Sequence, residues 1–191
     1  RQVLAGGEGR QVRNYAVAID RTAEGFYYLP DAGREFTALV YRRFEAGAVP
    51  EVITEDIAWD VSAVVFADDG GRAAFTANEG GLTAIYLMDP ITRAYARIEG
   101  IPAGVAGNLA FSPAGDRLAM TLNTPKTPSD TFTLALGPGP LDHGELVRWT
   151  FSEVGGLDTE RFVEPELVRY PTFDEVDGET RTIPAFVYTP E

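Results

Sequence analysis

Three short segments of the chain can be laid over one another, and their spacing limits the possible fold more than any other feature. They are Ile19-Asp20-Arg21-Thr22-Ala23-Glu24-Gly25-Phe26, Phe66-Ala67-Asp68-Asp69-Gly70-Gly71-Arg72-Ala73 and Phe111-Ser112-Pro113-Ala114-Gly115-Asp116-Arg117-Leu118. The match is one of pattern. An apolar residue closes one run, a polar turn with glycine follows, and a second apolar run opens seven places on. A strand, a tight turn and a strand fit that spacing. The anchors Ile19, Phe66 and Phe111 lie 47 and 45 residues apart, close to the ~40 to 45 residues of one four-stranded blade in a β-propeller.

In the middle repeat, apolar runs predict strands at 62–66, 72–76, 84–88 and 94–98, joined by turns at Asp69-Gly70, Glu79-Gly80-Gly81 and Asp89-Pro90. The first repeat gives strands at 17–19, 26–29, 37–44 and 51–54, and the third at 109–111, 118–122, 131–136 and 146–151. Ala73, Ala74 and Ala119 would suit the crowded centre of a radial array, whereas Phe26, Tyr27 and Tyr28 are bulkier. Residues 136–144, with Pro138 and Pro140, read as a surface loop, because proline cannot donate to a ladder.

The period breaks at 154–166. Two alternating runs then follow, 167–173 and 182–188, around Asp177-Gly178, a strong hairpin signal. The expected fold class is therefore all-β: a partial β-propeller of about three four-stranded antiparallel blades with a C-terminal β-hairpin. The expected domains are a propeller part at 1–157 (blades 15–54, 61–98 and 107–151), a linker at 158–165, and at 166–191 the opening hairpin of a further domain.

Composition agrees and excludes several functions. The 45% of hydrophobic residues can supply a core, and 20 Gly and 13 Pro spread along the chain punctuate many short strands. A net charge of −13 repels nucleic acid and anionic membrane surfaces alike, so neither is an expected partner. No cysteine is present to form a disulfide or a thiolate metal site. No run approaches the roughly 18 apolar residues of a membrane-spanning helix. The chain starts on Arg1 and ends on Pro190-Glu191 just after an apolar run, so both ends read as cuts inside a longer polypeptide. Localisation stays open, with a lean towards a periplasmic or secreted protein over a cytoplasmic one.

The tail carries a resemblance. Arg148-Trp149-Thr150-Phe151-Ser152-Glu153, then Val163-Glu164-Pro165-Glu166-Leu167-Val168-Arg169-Tyr170, then Ile183-Pro184-Ala185-Phe186-Val187-Tyr188-Thr189-Pro190-Glu191 resemble the propeller-to-hydrolase junction of prolyl oligopeptidase family (S9) serine peptidases. The run at 111–119 also looks like the blade motif of those propellers and of TolB-like propellers generally. The resemblance covers essentially the whole chain. It implies that residues 1–157 are the last blades of a non-catalytic propeller that gates access to a peptide hydrolase, and that 166–191 begin an α/β-hydrolase domain lying downstream. Peptide substrate would then be met through that domain. The alternative is a TolB-like or WD40-like propeller that binds a protein partner, with no hydrolase. Three blades cannot close a ring, so the rest of the same polypeptide or a second copy is expected against the open blade faces.

Chemistry is sparse in these 191 residues. A serine hydrolase of this kind holds its nucleophile in Gly-x-Ser-x-Gly, with a histidine base and an orienting carboxylate. Ser62, Ser112, Ser129 and Ser152 all lack that context, and His143, the only histidine, sits in the Pro/Gly loop. No catalytic residue, metal site or cofactor is assigned. The acidic pairs Glu55-Asp56 and Asp68-Asp69 and the cluster Asp174, Glu175, Asp177 and Glu179 read as turn chemistry, since Phe173 stands where a calcium loop needs an oxygen ligand. Gly6-Gly7-Glu8-Gly9 lacks the lysine and helix of a phosphate loop. Trp59, Trp149, Tyr15 and Tyr41 are expected to pack between blades. Glu79, beside Gly80-Gly81, is the one candidate to face a substrate.

Overall fold

The computed structural model describes residues 12–176 and 178–189, and strands account for most of them. Three sheets follow one another as simple antiparallel meanders. The first is β1 (Asn14–Ile19), β2 (Gly25–Pro30), β3 (Val40–Arg43) and β4 (Glu51–Val52). The second is β5 (Val61–Phe66), β6 (Ala73–Glu79), β7 (Leu82–Met88) and β8 (Tyr95–Arg97). The third is β9 (Val105–Phe111), β10 (Arg117–Thr124), β11 (Thr127–Leu136) and β12 (His143–Arg148). A separate hairpin pairs β13 (Glu166–Val176) with β14 (Glu179–Val187). No α-helix occurs among the described residues, and no sheet closes on itself. The architecture is the all-β partial propeller expected from the repeats.

Period-two alternation explains how the blades stack. In β6, Ala73, Phe75 and Ala77 face the first blade, while Ala74 faces the third. In β7, Ala84, Tyr86 and Met88 face the first blade, and Ile85 and Leu87 the third. Both faces of the middle blade are thus apolar, and two cores result. Tyr27, Leu29, Leu39 and Tyr41 complete the first; Leu118, Met120, Leu122, Phe132 and Leu134 complete the second. In the first, the Phe75 and Tyr86 rings stack at 4.9 Å. Polar groups also bridge blades, with Tyr27 donating to the Pro90 carbonyl at 2.9 Å and Arg72 to the Gly137 carbonyl at 2.9 Å. Each bridge holds a β7–β8 or β11–β12 connection against its neighbour.

Several details depart from the sequence expectations. The β10–β11 hairpin runs further than 118–122 and 131–136, because Thr124 still pairs with Thr127 across Pro125-Lys126. Pro128 sits near the start of β11, where a missing donor is tolerated. β12 starts at His143 rather than at 146, since His143 pairs with Leu136; the Pro/Gly loop is therefore only six residues, 137–142. Ala119 is half-buried on the outward face of β10 and is no centre-filling residue. The 158–165 segment holds a 3-10 turn, Thr159–Arg161, capped by Asp158. Gly6-Gly7-Glu8-Gly9 lies outside the described residues.

The first strand of every blade carries a bulge. Its register slips between Ala16 and Ala18 in β1, and between Ser62 and Val65 in β5. In β9 the slip falls opposite Ala119 to Thr121. Ala63 (φ 45°) and Asn108 (φ 53°) take the left-handed conformation there, and they lie 45 residues apart. A threonine from the next strand locks each one. Thr76 donates to the Ser62 carbonyl (3.1 Å) and accepts from the Ser62 hydroxyl. Thr121 donates to the Gly107 carbonyl (3.2 Å) and accepts from Asn108 Nδ2.

Candidate functional site

The surface with most structure beyond the blades is the seam where the hairpin crosses the propeller. Gly80 (φ 66°) and Gly81 (φ 96°) form the two-residue β6–β7 turn, a conformation that side chains resist. Their bareness also makes room. A Cβ on Gly81 would stand 2.9 Å from the Phe186 ring, and one on Gly80 would touch Pro184 and Leu167. Trp59 stands beside this contact, with the Phe36 ring 6.0 Å away and the Arg169 guanidinium 5.7 Å from its ring centre. Arg181 on β14 pairs with Glu35 of the first blade.

The hairpin thereby reaches all three blades. It meets the first at Glu35, the second at Gly80-Gly81, and the third across a mostly apolar crevice of about 530 Å³ lined by Leu82, Lys126, Phe132, Leu167 and Phe186. A second cleft, about 580 Å³, lies between Glu35, Phe36, Trp59, Arg169 and Pro184. Lys126 at the β10–β11 turn pairs with Glu164 at 3.2 Å, tying the linker to the third blade.

Where the chain leaves the third blade, Asp130 gathers the exit segment. Its fully buried carboxylate accepts from Arg148 Nη2 (2.5 Å), Thr150 Oγ1 (2.8 Å), the Ser152 amide (2.9 Å) and the Ser152 hydroxyl (3.0 Å). Burial disfavours its charge, but these donors together outweigh burial and hold the carboxyl down to about 2. Arg148 also lies over the Phe151 ring at 4.5 Å. The sequence reading missed this hub. Its trace was Asp130 at the start of the apolar run and the hydroxyl spacing of Thr150 and Ser152.

The residues singled out from sequence are scattered. Glu79 ends β6 next to the seam, with both carboxylate oxygens engaged inside its own blade: Tyr86 donates at 2.5 Å and Arg97 at 2.6 Å. Burial first, and then the Glu79 bond and charge, push the Tyr86 phenol up to about 12. Ser62 bonds Thr76, Ser112 bonds Asp116 at 2.6 Å, and Ser152 bonds Asp130. His143 is exposed at the start of β12, and among the described residues no hydrogen bond joins it to a serine. No group of three or more His, Asp or Glu side chains able to hold a metal occurs among them either.

Three of the four residues in the acidic pairs are engaged by neighbouring groups, two of them far along the chain. Asp69 caps the Gly71 amide at 2.8 Å, Glu55 pairs with Arg34, and Asp56 accepts from Tyr95. Asp174 pairs with Arg181, Glu175 lies opposite Thr180 and Glu179 opposite Val176; Asp177 lies outside the described residues. The aromatic expectation divides. Tyr41 is buried between blades and Trp59 packs against the same core, but Tyr15 and Trp149 are exposed, because each stands on an open edge or face. Tyr41 bonds Asp20 at 2.5 Å under the Arg93 guanidinium, walling a charged cleft of about 520 Å³ between the first two blades.

No protein-family profile matches the chain, and no curated protein matches it in sequence. Solved structures do match in fold. Prolyl oligopeptidase B from Galerina marginata superposes with a TM-score of 0.70 at 14% identity, over 92% of this chain and 24% of that one. A prolyl endopeptidase gives 0.69 at 17% identity, over 93% and 24%. Dipeptidyl peptidase 4 of Porphyromonas gingivalis gives 0.56 at 16%, over 87% and 22%. The chain spans about a quarter of the length of the first two. Its fold is therefore that of a propeller portion of such peptidases.

Proposed function

We propose that this chain is the non-catalytic, substrate-gating propeller portion of a prolyl-oligopeptidase-like serine peptidase, with the catalytic α/β-hydrolase domain downstream. The extent of the fold match supports this most. Residues 1–165 alone would fall short of the 92% of the chain that superposes on one prolyl oligopeptidase, so the match runs into the hairpin as well as the blades. A free-standing binding propeller has no need of that hairpin. On this reading the chain's own residues supply no proton transfer and no nucleophile. They hold a wall of three blades, carry the exit segment on Asp130, and seat the first hairpin of the hydrolase on Trp59 and the Gly80-Gly81 turn.

The test is labelling with a fluorophosphonate serine probe. The complete gene product should be labelled, at a serine in a Gly-x-Ser-x-Gly sequence beyond Glu191, while this chain alone stays unlabelled. A gene without such a serine, or a labelled fragment, would overturn the reading.

A further inference from the structure

The charged cleft between the first two blades lies at the far end of the middle blade from the hairpin. The β1–β2, β5–β6 and β7–β8 turns line it, whereas the hairpin rests on the β6–β7 turn, one strand length of 7 residues, or about 23 Å, away. Its two sides are fitted to each other. The Arg21 stem crosses the Asp69-Gly70 turn so closely that a Cβ on Gly70 would stand 3.1 Å from Arg21 Cδ. The Tyr27 and Phe66 rings meet at 5.0 Å. About 520 Å³ nevertheless stays open, within the ~300 to 1,000 Å³ of small-molecule sites.

Arg93 carries two local costs at this cleft. It adopts the left-handed conformation (φ 62°), and its buried Nε finds no acceptor among the described residues. Such strain and such orphaned donors gather at functional sites. Glu51 at 3.1 Å and the Tyr41 ring at 3.9 Å hold the guanidinium in place, with the side chain still 24% exposed. Five N–H donors leave it room for a second carboxylate beside Glu51.

Four carboxylates and three arginines line the cleft. Asp68, Glu24, Arg21 and Arg43 are exposed, and none of them forms an ion pair with another described residue. A polyanion would meet the carboxylates and a plain cation the arginines, whereas a molecule with one charge of each sign suits both. Ile19 and Ile91, 65% and 80% exposed, add apolar lips.

We propose that this cleft binds a small apolar zwitterion, an amino acid or dipeptide whose carboxylate is held by Arg93 and whose ammonium is held by Asp68. The proposal stands apart from the peptidase reading, since it uses no catalytic group. The probe is a leucyl dipeptide with a diazirine side chain, photolysed with the complete gene product, and the labelled residues are mapped by mass spectrometry. Labels are expected within 18–24, 41–43, 66–70 and 90–93. Free Leu-Leu should suppress them, and its C-terminal amide and its N-acetyl form should each compete at least about tenfold less well, because each loses a charge-assisted contact.

Arg93→Lys should lower this labelling at least about fivefold, because lysine keeps the charge but not the planar fork. Asp68→Asn, on an exposed turn, should let the N-acetyl form compete as well as the free dipeptide. Glu145→Gln on the third blade should change nothing. Labels confined to other segments, equal competition by all three dipeptides, or labelling and competition unchanged in folded Asp68→Asn would each overturn the proposal.

Discussion

The middle and third blades are the same four-strand meander, yet only the middle one is apolar on both faces. β10 and β11 turn Leu118, Met120, Leu122, Phe132 and Leu134 towards the middle blade, while Thr121, Thr131 and Thr133 look outward. There Trp149 lies exposed, its indole N–H bonded to Thr133 at 2.8 Å. The first blade's outward face differs again, with Phe26 tilted on Tyr28 and stacked on Phe44 at 5.3 and 5.4 Å. The blade repeat thus fixes strand order and turn position, and the residues between those anchors decide what each face can meet.

The sharpest way to break this comparison is to truncate one side chain on each kind of face. Phe75→Ala should cost about 3 to 5 kcal/mol, because the ring is fully buried between two blades. Thr133→Ala, on the outward face, should stay within about 0.5 kcal/mol. Urea unfolding measures both, and similar losses would mean that the open face is as packed as the closed one.

A smaller effect is expected at Asp130. Its folded carboxyl is depressed to about 2, so its share of stability is complete above about pH 4 and is lost as the pH falls through 2. Unfolding midpoints measured between pH 5 and 2 should fall in the parent and flatten in Asp130→Asn. If they run parallel, the exit segment is not held by this charge.

Smaller again, Thr76→Val and Thr121→Val should each cost about 1 kcal/mol by unlocking a bulge. An effect from one without the other would show that the bulges of β5 and β9 are not equivalent.

The least effect is expected at Tyr86. Its raised phenol keeps its stabilising share below pH 10 and loses it as pH rises towards 12, since the unfolded side chain ionises first. Absorbance titration should show a late-ionising group of tyrosines, Tyr95 among them, whose amplitude falls by one tyrosine in Tyr86→Phe and part of which titrates earlier in Glu79→Gln.

Much of the fold was legible because its signals are local. Asp69-Gly70-Gly71 and Pro113-Ala114-Gly115 demand turns, and Ala73 to Ala77 alternate visibly. The bulges were not legible, since Ala63 and Asn108 become special only through a threonine on the next strand. The seam was half legible. Glu164-Pro165-Glu166 marked the junction, but that Arg181 finds Glu35, 146 residues earlier, follows from how the blades fan out, which no local pattern encodes. Glu79 stands out in sequence beside Gly80-Gly81, but its oxygens answer to Tyr86 and Arg97, partners that no local pattern names.

The bare turn at Gly80-Gly81 has a mechanical consequence. A single methyl group on Gly81 would act as a wedge against Phe186 and would at the same time strain the β6–β7 turn, whose φ of 96° suits glycine. One missing carbon atom thus lets the turn and the hairpin close on each other, beside the Arg181–Glu35 pair and the Arg169–Trp59 contact that hold the same seam.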